Sequence, residues 1–303
     1  MKRIWSLTGA LAVLLAAGTQ ASQPAPVEGQ PKSTPAPMSA AKPLPAADEV
    51  LKRYIEATGG ERAYAALRTR VSVWKLEIPA ARIGGRAEMT QQAPERMLSV
   101  ITADGLGETR HVLTDGLAWE RTVVAGNRLL TGGERAQLRR PGILGSETQL
   151  KDLYDKIETV RRDMHAGREV VVLRMTPRPN EGGVEEWLFD EQAGLLTVMR
   201  MVYDAPIGRA EAEVELSDWR EVPVQGEVKI RLAHRTSRRV LGHEQIMTLE
   251  KVSHNVAVDE GLFAVPEEIR QAAERERTTA PATKPDSKPE AKPQPGPDEP
   301  GKK

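Results

Sequence analysis

Between residues 70 and 253 apolar and polar positions alternate with a period of two, and glycine, proline, aspartate or asparagine interrupts the alternation at short intervals. This is the pattern of successive β-strands joined by tight turns. It predicts strands over 70–78, 85–92, 96–103, 108–114, 117–124 and 128–130, punctuated by Pro79, Gly84-Gly85, Pro94, Asp115-Gly116 and Gly126-Asn127. The last two pairs accept the positive φ of two-residue hairpin turns, so sequence neighbours are expected to pair antiparallel. A second series is predicted over 156–162, 168–176, 185–203, 210–220, 227–237 and 245–253.

The 185–203 stretch reads as a hairpin turning around Asp190–Gly194, and both of its arms carry apolar residues on both alternating faces. A strand with one wet face would alternate cleanly, so this pair is expected to be buried on two sides in the middle of a sheet. Trp187 and Phe189 share the face expected to point inward, opposite Val184, Glu186 and Leu188. By contrast Ala212, Val214 and Leu216 alternate with Glu211, Glu213 and Glu215, which predicts a strand with one solvated face.

Helical spacing occurs in few places. Val50, Leu51, Tyr54 and Ile55 form one apolar stripe, with Asp48 placed to cap it and Gly59-Gly60 to end it. A short helix over 61–67 follows, and Ser146 with Gln149 reads as a capping box for a helix over 147–153. Gly132-Gly133 and Pro141-Gly142 frame short segments between them. The predicted fold class is mainly β (α+β): one large antiparallel sheet with a few helices on one side.

The chain ends change composition. Lys2 and Arg3 precede an apolar run over 7–17, followed by the small residues Thr19 and Ala21, so residues 1–21 are expected to be a signal peptide cleaved near Ala21, with export to the periplasm. The run is too short for a bilayer crossing of about 20 residues. Residues 22–46 form a Pro/Ala-rich linker and residues 271–303 a Pro/Lys/Glu-rich tail, neither able to bury a core, which leaves 47–270 as the folded domain.

At 303 residues and 39% hydrophobic, the chain can bury a substantial core. With 43 basic and 43 acidic residues it has no net field to gather nucleic acid. Cysteine is absent, which excludes thiol catalysis, cysteine-bound metals and a lipid-bearing cysteine. The histidines at 111, 165, 234, 243 and 254 show no metal-ligand spacing. Glu185-Glu186 and Asp190-Glu191 are adjacent carboxylates on a strand or turn, where neighbours diverge. The serines lack a nucleophile-elbow setting, and Gly132-Gly133 and Gly182-Gly183 lack the Lys-Ser/Thr of a phosphate loop. No catalytic residue, metal or cofactor is therefore expected. Met175, Met199, Met201 and Met247 stand in second-half strands, either as core filler or as an adaptable lining for a flexible apolar ligand. The tryptophans, Trp187 among them, carry the same two readings.

Several local patterns together resemble the LolA/LolB-like periplasmic lipoprotein-carrier superfamily, particularly its outer-membrane lipoprotein-sorting-protein-like members. They are Thr58-Gly59-Gly60-Glu61 with Ala65 and Leu67, Gly167-Arg168-Glu169-Val170-Val171-Val172-Leu173, Trp187-Leu188-Phe189-Asp190 with Gly194-Leu195-Leu196, Asp218-Trp219-Arg220-Glu221-Val222, and Asn255-Val256-Ala257-Val258-Asp259 with Leu262-Phe263-Ala264-Val265-Pro266. The resemblance runs from Asp48 to Pro266. It implies an incomplete, half-open β-barrel with helices plugging the concave side, and a non-enzymatic carrier or sensor of acyl chains or lipoprotein. The expected lining is Met175, Trp187, Phe189, Met199, Met201 and Met247. The family's gating arginine has no recognisable counterpart in the pattern. The rival reading is a structural or regulatory module of the cell envelope that uses the same scaffold, with a filled core, to bind a protein partner.

Overall fold

The computed structural model describes residues 42–205 and 208–279, so the expected signal peptide and most of the linker lie outside the described residues. Thirteen strands form one antiparallel sheet: β1 (Thr69–Ile78), β2 (Ile83–Gln92), β3 (Arg96–Ala103), β4 (Gly107–Thr114), β5 (Leu117–Thr122), β6 (Gly126–Leu130), β7 (Lys156–His165), β8 (Arg168–Thr176), β9 (Glu185–Asp190), β10 (Leu196–Ala205), β11 (Gly208–Gln225), β12 (Val228–Val240) and β13 (His243–His254). Among the described residues five α-helices accompany it: α1 (Ala47–Ala57), α2 (Gly60–Ala65), α3 (Gly132–Gly142), α4 (Leu150–Leu153) and α5 (Glu267–Thr279). The sheet is two meanders, β1 to β6 and β7 to β13, joined where β1 pairs with β13 and Arg70 comes opposite His254. Strands β6 and β7 are its two edges, so the sheet stays open and is not a closed barrel.

Its curvature follows from α3. Glu134 at the start of this helix binds Arg128 of β6 (2.8 Å), and Arg140 near its end binds Glu185 of β9 (2.8 Å). Those strands stand ten places apart in the sheet, which is roughly 48 Å on a flat sheet at ~4.8 Å per strand. An 11-residue helix is only about 16 Å long. Both contacts can exist only because the sheet curls around the helix, with the face carrying α1 to α4 on the inside.

The two faces are packed separately. Met97, Leu113, Ala118 and Leu130 point inward, with Leu138 of α3 against them. The alternate residues Leu98, Val112 and Trp119 point outward and are covered by Phe263 and by Ile269 of α5. That helix runs to Thr279, past the boundary at 270/271 expected from composition, because Ala273 is also buried. The polar, proline-rich sequence beyond it masks the short amphipathic turn pattern.

α1 begins before Asp48; the Ala46 N–H donates to Glu49 Oε2 (3.3 Å), and Asp48 pairs instead with Lys151 (2.7 Å). The helix expected over 147–153 is a 3-10 turn (Ser146–Gln149) followed by the single turn α4, and Ser146 makes no side-chain cap. α3 itself occupies the stretch read as short segments. It begins with two glycines and holds a proline in its last turn, so its own propensity is poor; it is held by ion pairs to Glu95, Arg128 and Glu185.

The β9–β10 hairpin is buried on both faces, as the sequence predicts: Phe189 and Leu196 inward, Leu188 and Val198 outward, all nearly inaccessible. Above this outer apolar layer runs a charge ladder. Glu158, Arg174, Glu186, Arg200, Glu213, Arg239 and Glu244 occupy registered positions on β7 through β13 and alternate in sign at every step. Arg200 reaches Glu213 at 2.8 Å, and Arg161 clamps Glu186 with two bonds of 2.8 Å. A one-residue slip would break every pair and turn the apolar layer to water, so the ladder reinforces register. Glu186→Lys, placed among Arg161, Arg174 and Arg200, should cost about 1–2 kcal/mol in urea unfolding, and added salt should reduce that cost.

Candidate functional site

The inner face is lined in three zones. On β8 to β10, Val171, Leu173, Met175, Phe189 and Leu196 are covered by Val50, Leu51 and Tyr54 of α1 and by Ile143, Leu150, Leu153 and Tyr154. Tyr54 meets Phe189 edge-on with ring centroids 5.4 Å apart, and Tyr154 meets Trp187 likewise at 6.0 Å. This zone is solid core. The cavity beside it, between Pro45, Glu49, Val50, Arg53 and the β9–β10 turn, measures about 90 Å³.

The second zone is the closed end beneath α2. Gly59, at the junction of α1 and α2, has φ +134° and sits so close to β12 that a Cβ would fall 2.7 Å from the Lys229 carbonyl oxygen. Only glycine permits this approach, and the Arg231 N–H then donates to the Thr58 carbonyl (2.8 Å). The Thr58 and Tyr64 hydroxyls are 2.8 Å apart. Arg70, half-buried, donates from Nε to His254 Nε2 (3.0 Å), while His254 Nδ1 faces the Pro223 carbonyl (2.8 Å). Burial lowers the Arg70 guanidinium from its ordinary value, and Glu147 opposes the shift. Its Nη2 is buried without a protein partner.

Between these zones α3 is fastened to the sheet. Arg140 donates to Glu185 Oε1 (2.8 Å) and to the Glu181 carbonyl (2.6 Å), and its guanidinium lies 4.8 Å over the Tyr154 ring. Glu185 Oε2 accepts from Tyr154 Oη and from Trp187 Nε1, both at 2.9 Å. Burial, and then the Glu185 charge, pushes the Tyr154 phenol well above its ordinary value, so it stays a donor. At the other end of α3, Glu120 binds Arg128 (3.0 Å), and burial raises its carboxyl while the Arg128 bond lowers it. His111 beside it is pushed down to about 4 by burial, then by Arg128 and Arg238, and is neutral at pH 7.

The third zone is a half-buried apolar strip crossing the middle strands: Trp74 on β1, Met247 on β13, Val214 and Leu216 on β11, and Met199 and Met201 on β10. Register places all of them on the inner face, since Met247 opposes Leu76, Thr236 links Met247 to Leu216, and Met199 opposes Val214.

All of the residues singled out in the sequence share the inner face, but the structure divides them. Met175 and Phe189 are sealed in core, Trp187 is tied to Glu185, and Met199, Met201 and Met247 lie along the half-buried strip. Sequence reasoning did not single out Arg140, which has no local motif; its signal is only the buried carboxylate it meets 45 residues later. Among the described residues no group of three or more His, Cys, Asp or Glu could hold a metal ion, and no helix is long and apolar enough to cross a membrane.

No protein-family model matches the sequence, and no curated protein sequence matches it. Solved structures do match. The LolA superfamily protein NE2245 from Nitrosomonas europaea is 13% identical, with a TM-score of 0.50 over 73% of this chain and 99% of that one. A DUF1329 family protein from Desulfovibrio piger is 12% identical, with a TM-score of 0.48 over 72% and 97%. The chain shares the fold of the LolA superfamily protein.

Proposed function

We propose that this chain, having a LolA-like fold, is a non-enzymatic carrier or sensor that binds a hydrophobic or lipid-like ligand, such as an acyl chain, on the inner face of its open sheet. It acts in the periplasm after export, with lipoprotein acyl groups as one form of cargo. The observation that carries this reading is the strip from Trp74 and Met247 to Met199 and Met201, apolar side chains only half-buried inside a curled sheet. These apolar side chains are incompletely packed on both sides of β12, whose intervening positions are Thr236 and Arg238, and thioethers adapt to flexible chains. Ligand pockets measure about 300–1,000 Å³, so the 90 Å³ cavity beside α1 is too small. The half-buried strip, not that cavity, is the ligand surface in this reading.

The filled zone under α1 favours a second reading, the envelope interaction module. Native mass spectrometry of gently purified protein separates the two: co-purifying acyl species support the carrier, whereas an empty mass with one stoichiometric protein partner supports the module. A direct test titrates a fluorescent fatty-acid analogue. Met201→Asp and Met247→Asp should each weaken probe binding about tenfold while leaving the thermal midpoint within a few degrees. Unchanged affinity in both, or no binding by the unaltered protein, would overturn the assignment.

A further inference from the structure

We infer that one rim of the sheet, formed by the β5–β6, β3–β4, β1–β2 and β12–β13 turns, docks on a lipid bilayer and inserts Val123, Val124 and Leu241 among the headgroups. Because pairing is antiparallel throughout, the turns alternate between two rims. One rim carries Pro94-Glu95, Asp115-Gly116, Ala166-Gly167, Glu191-Gln192 and Gly226-Glu227. The other carries Val123-Val124, Leu106, Pro79-Ala80-Ala81 and Leu241, and also the longer polar β8–β9 turn through Arg178, Asn180 and Glu181.

Val123 and Val124 are each 72% exposed and Leu241 is 60% exposed. The apolar turns adjoin one another. Gly107 abuts Val123, where a Cβ would come within 2.7 Å of Cγ2, and Leu106 shares one cluster with Ala81 and Ile83. Large aliphatic side chains at hairpin tips add nothing to the core and invite association, so their concentration on one rim points to a contact.

Both described ends of the chain lie at the polar rim. Lys42 and Pro43 are held by Arg162 and Glu191 at the polar rim. In the last turn of α5, Arg277 lines one surface cleft with Arg96, Asp115 and Leu117, also at the polar rim. A protein partner would need a separate pocket for each protruding tip, whereas the bilayer interface accepts apolar knobs without complementary shape. Arg82 on the β1–β2 turn and Arg121 at the end of β5 are exposed with no acidic partner among the described residues, and Arg178 stands exposed on the β8–β9 turn, against Asp104 on the β3–β4 turn and Glu181 on the β8–β9 turn. That balance favours anionic headgroups.

The inference goes beyond the carrier reading and does not depend on it, because its test uses no cargo. The chain from Ser22 onward, free of the apolar run 7–17 that would itself bind lipid, is sedimented with sucrose-loaded vesicles of phosphatidylcholine and phosphatidylglycerol. The unaltered protein should pellet with vesicles, more with phosphatidylglycerol present. Val123→Glu with Val124→Glu should lower the partition coefficient at least about tenfold, and Leu241→Glu several-fold. Met164→Glu, at a residue 61% exposed on the β7–β8 hairpin of the polar rim, should leave binding unchanged. Protein remaining in the supernatant, or equal losses from Met164→Glu and the valine pair, would overturn the inference. So would a dimer in solution that the valine substitutions dissociate, since the rim would then bind a second copy.

Discussion

Arg140→Met is expected to destabilise the domain by about 3–5 kcal/mol, the cost of leaving a buried charge without its partner. The side chains of Arg140 and Glu185 are only 10% and 8% exposed. Methionine fills much of the volume of the arginine stem, so the loss isolates the charge from packing. Glu185 would keep the Tyr154 and Trp187 donors, yet two neutral donors do not replace a guanidinium. Glu185→Gln should be costly as well, because it leaves the Arg140 guanidinium buried without a counter-charge and turns an NH2 group toward donors that now bind a carboxylate oxygen. Urea unfolding of the two variants measures both. Equal midpoints for Arg140→Met and the unaltered protein would mean that α3 is not fastened by this pair.

Phe189→Ala should be comparably costly, about 3–5 kcal/mol through lost burial and the cavity left behind. Phe189 is 2% exposed, sits between Tyr54 and Trp187, and lies on a strand with no room to collapse because its outer face is also filled. Met175→Ala, at a fully buried site, belongs to the same class and should cost about 2–5 kcal/mol. Met201→Ala, on the half-buried strip, should cost less than about 1.5 kcal/mol, since only part of its surface leaves water on folding. Thermal and urea unfolding of the three variants would rank them. A large loss at Met201 would place it in core and remove the apolar strip from consideration as a ligand surface.

These two predictions mark the division between what a linear pattern reveals and what it hides. Alternation and turn chemistry are local, so the strands Arg96–Ala103 and Arg168–Thr176 were legible to the residue, as were the hairpin at Asp115-Gly116 and the shared inward face of Trp187 and Phe189. Alternation was equally sufficient to place Met175, Met199, Met201 and Met247 in strands. It could not separate Met175 in the core from Met201 on the strip, because burial depends on whether α1 and Tyr154 lie above a position, and period two carries no such information. α3 was hidden for a related reason: its glycines, proline and arginines form no amphipathic stripe, and it is held by Arg128 of the preceding strand and by Glu95 and Glu185, more than 40 residues away in the chain. Neighbouring residues thus specify most strands, their two faces and turns such as Asp115-Gly116, although the turn expected at Gly126-Asn127 lies instead at 123–125, with Gly126 and Asn127 already paired in β6. The tertiary structure alone decided the β1–β13 junction, the curl around α3 and the division of the inner face into core and strip, since each depends on contacts between residues far apart in the chain.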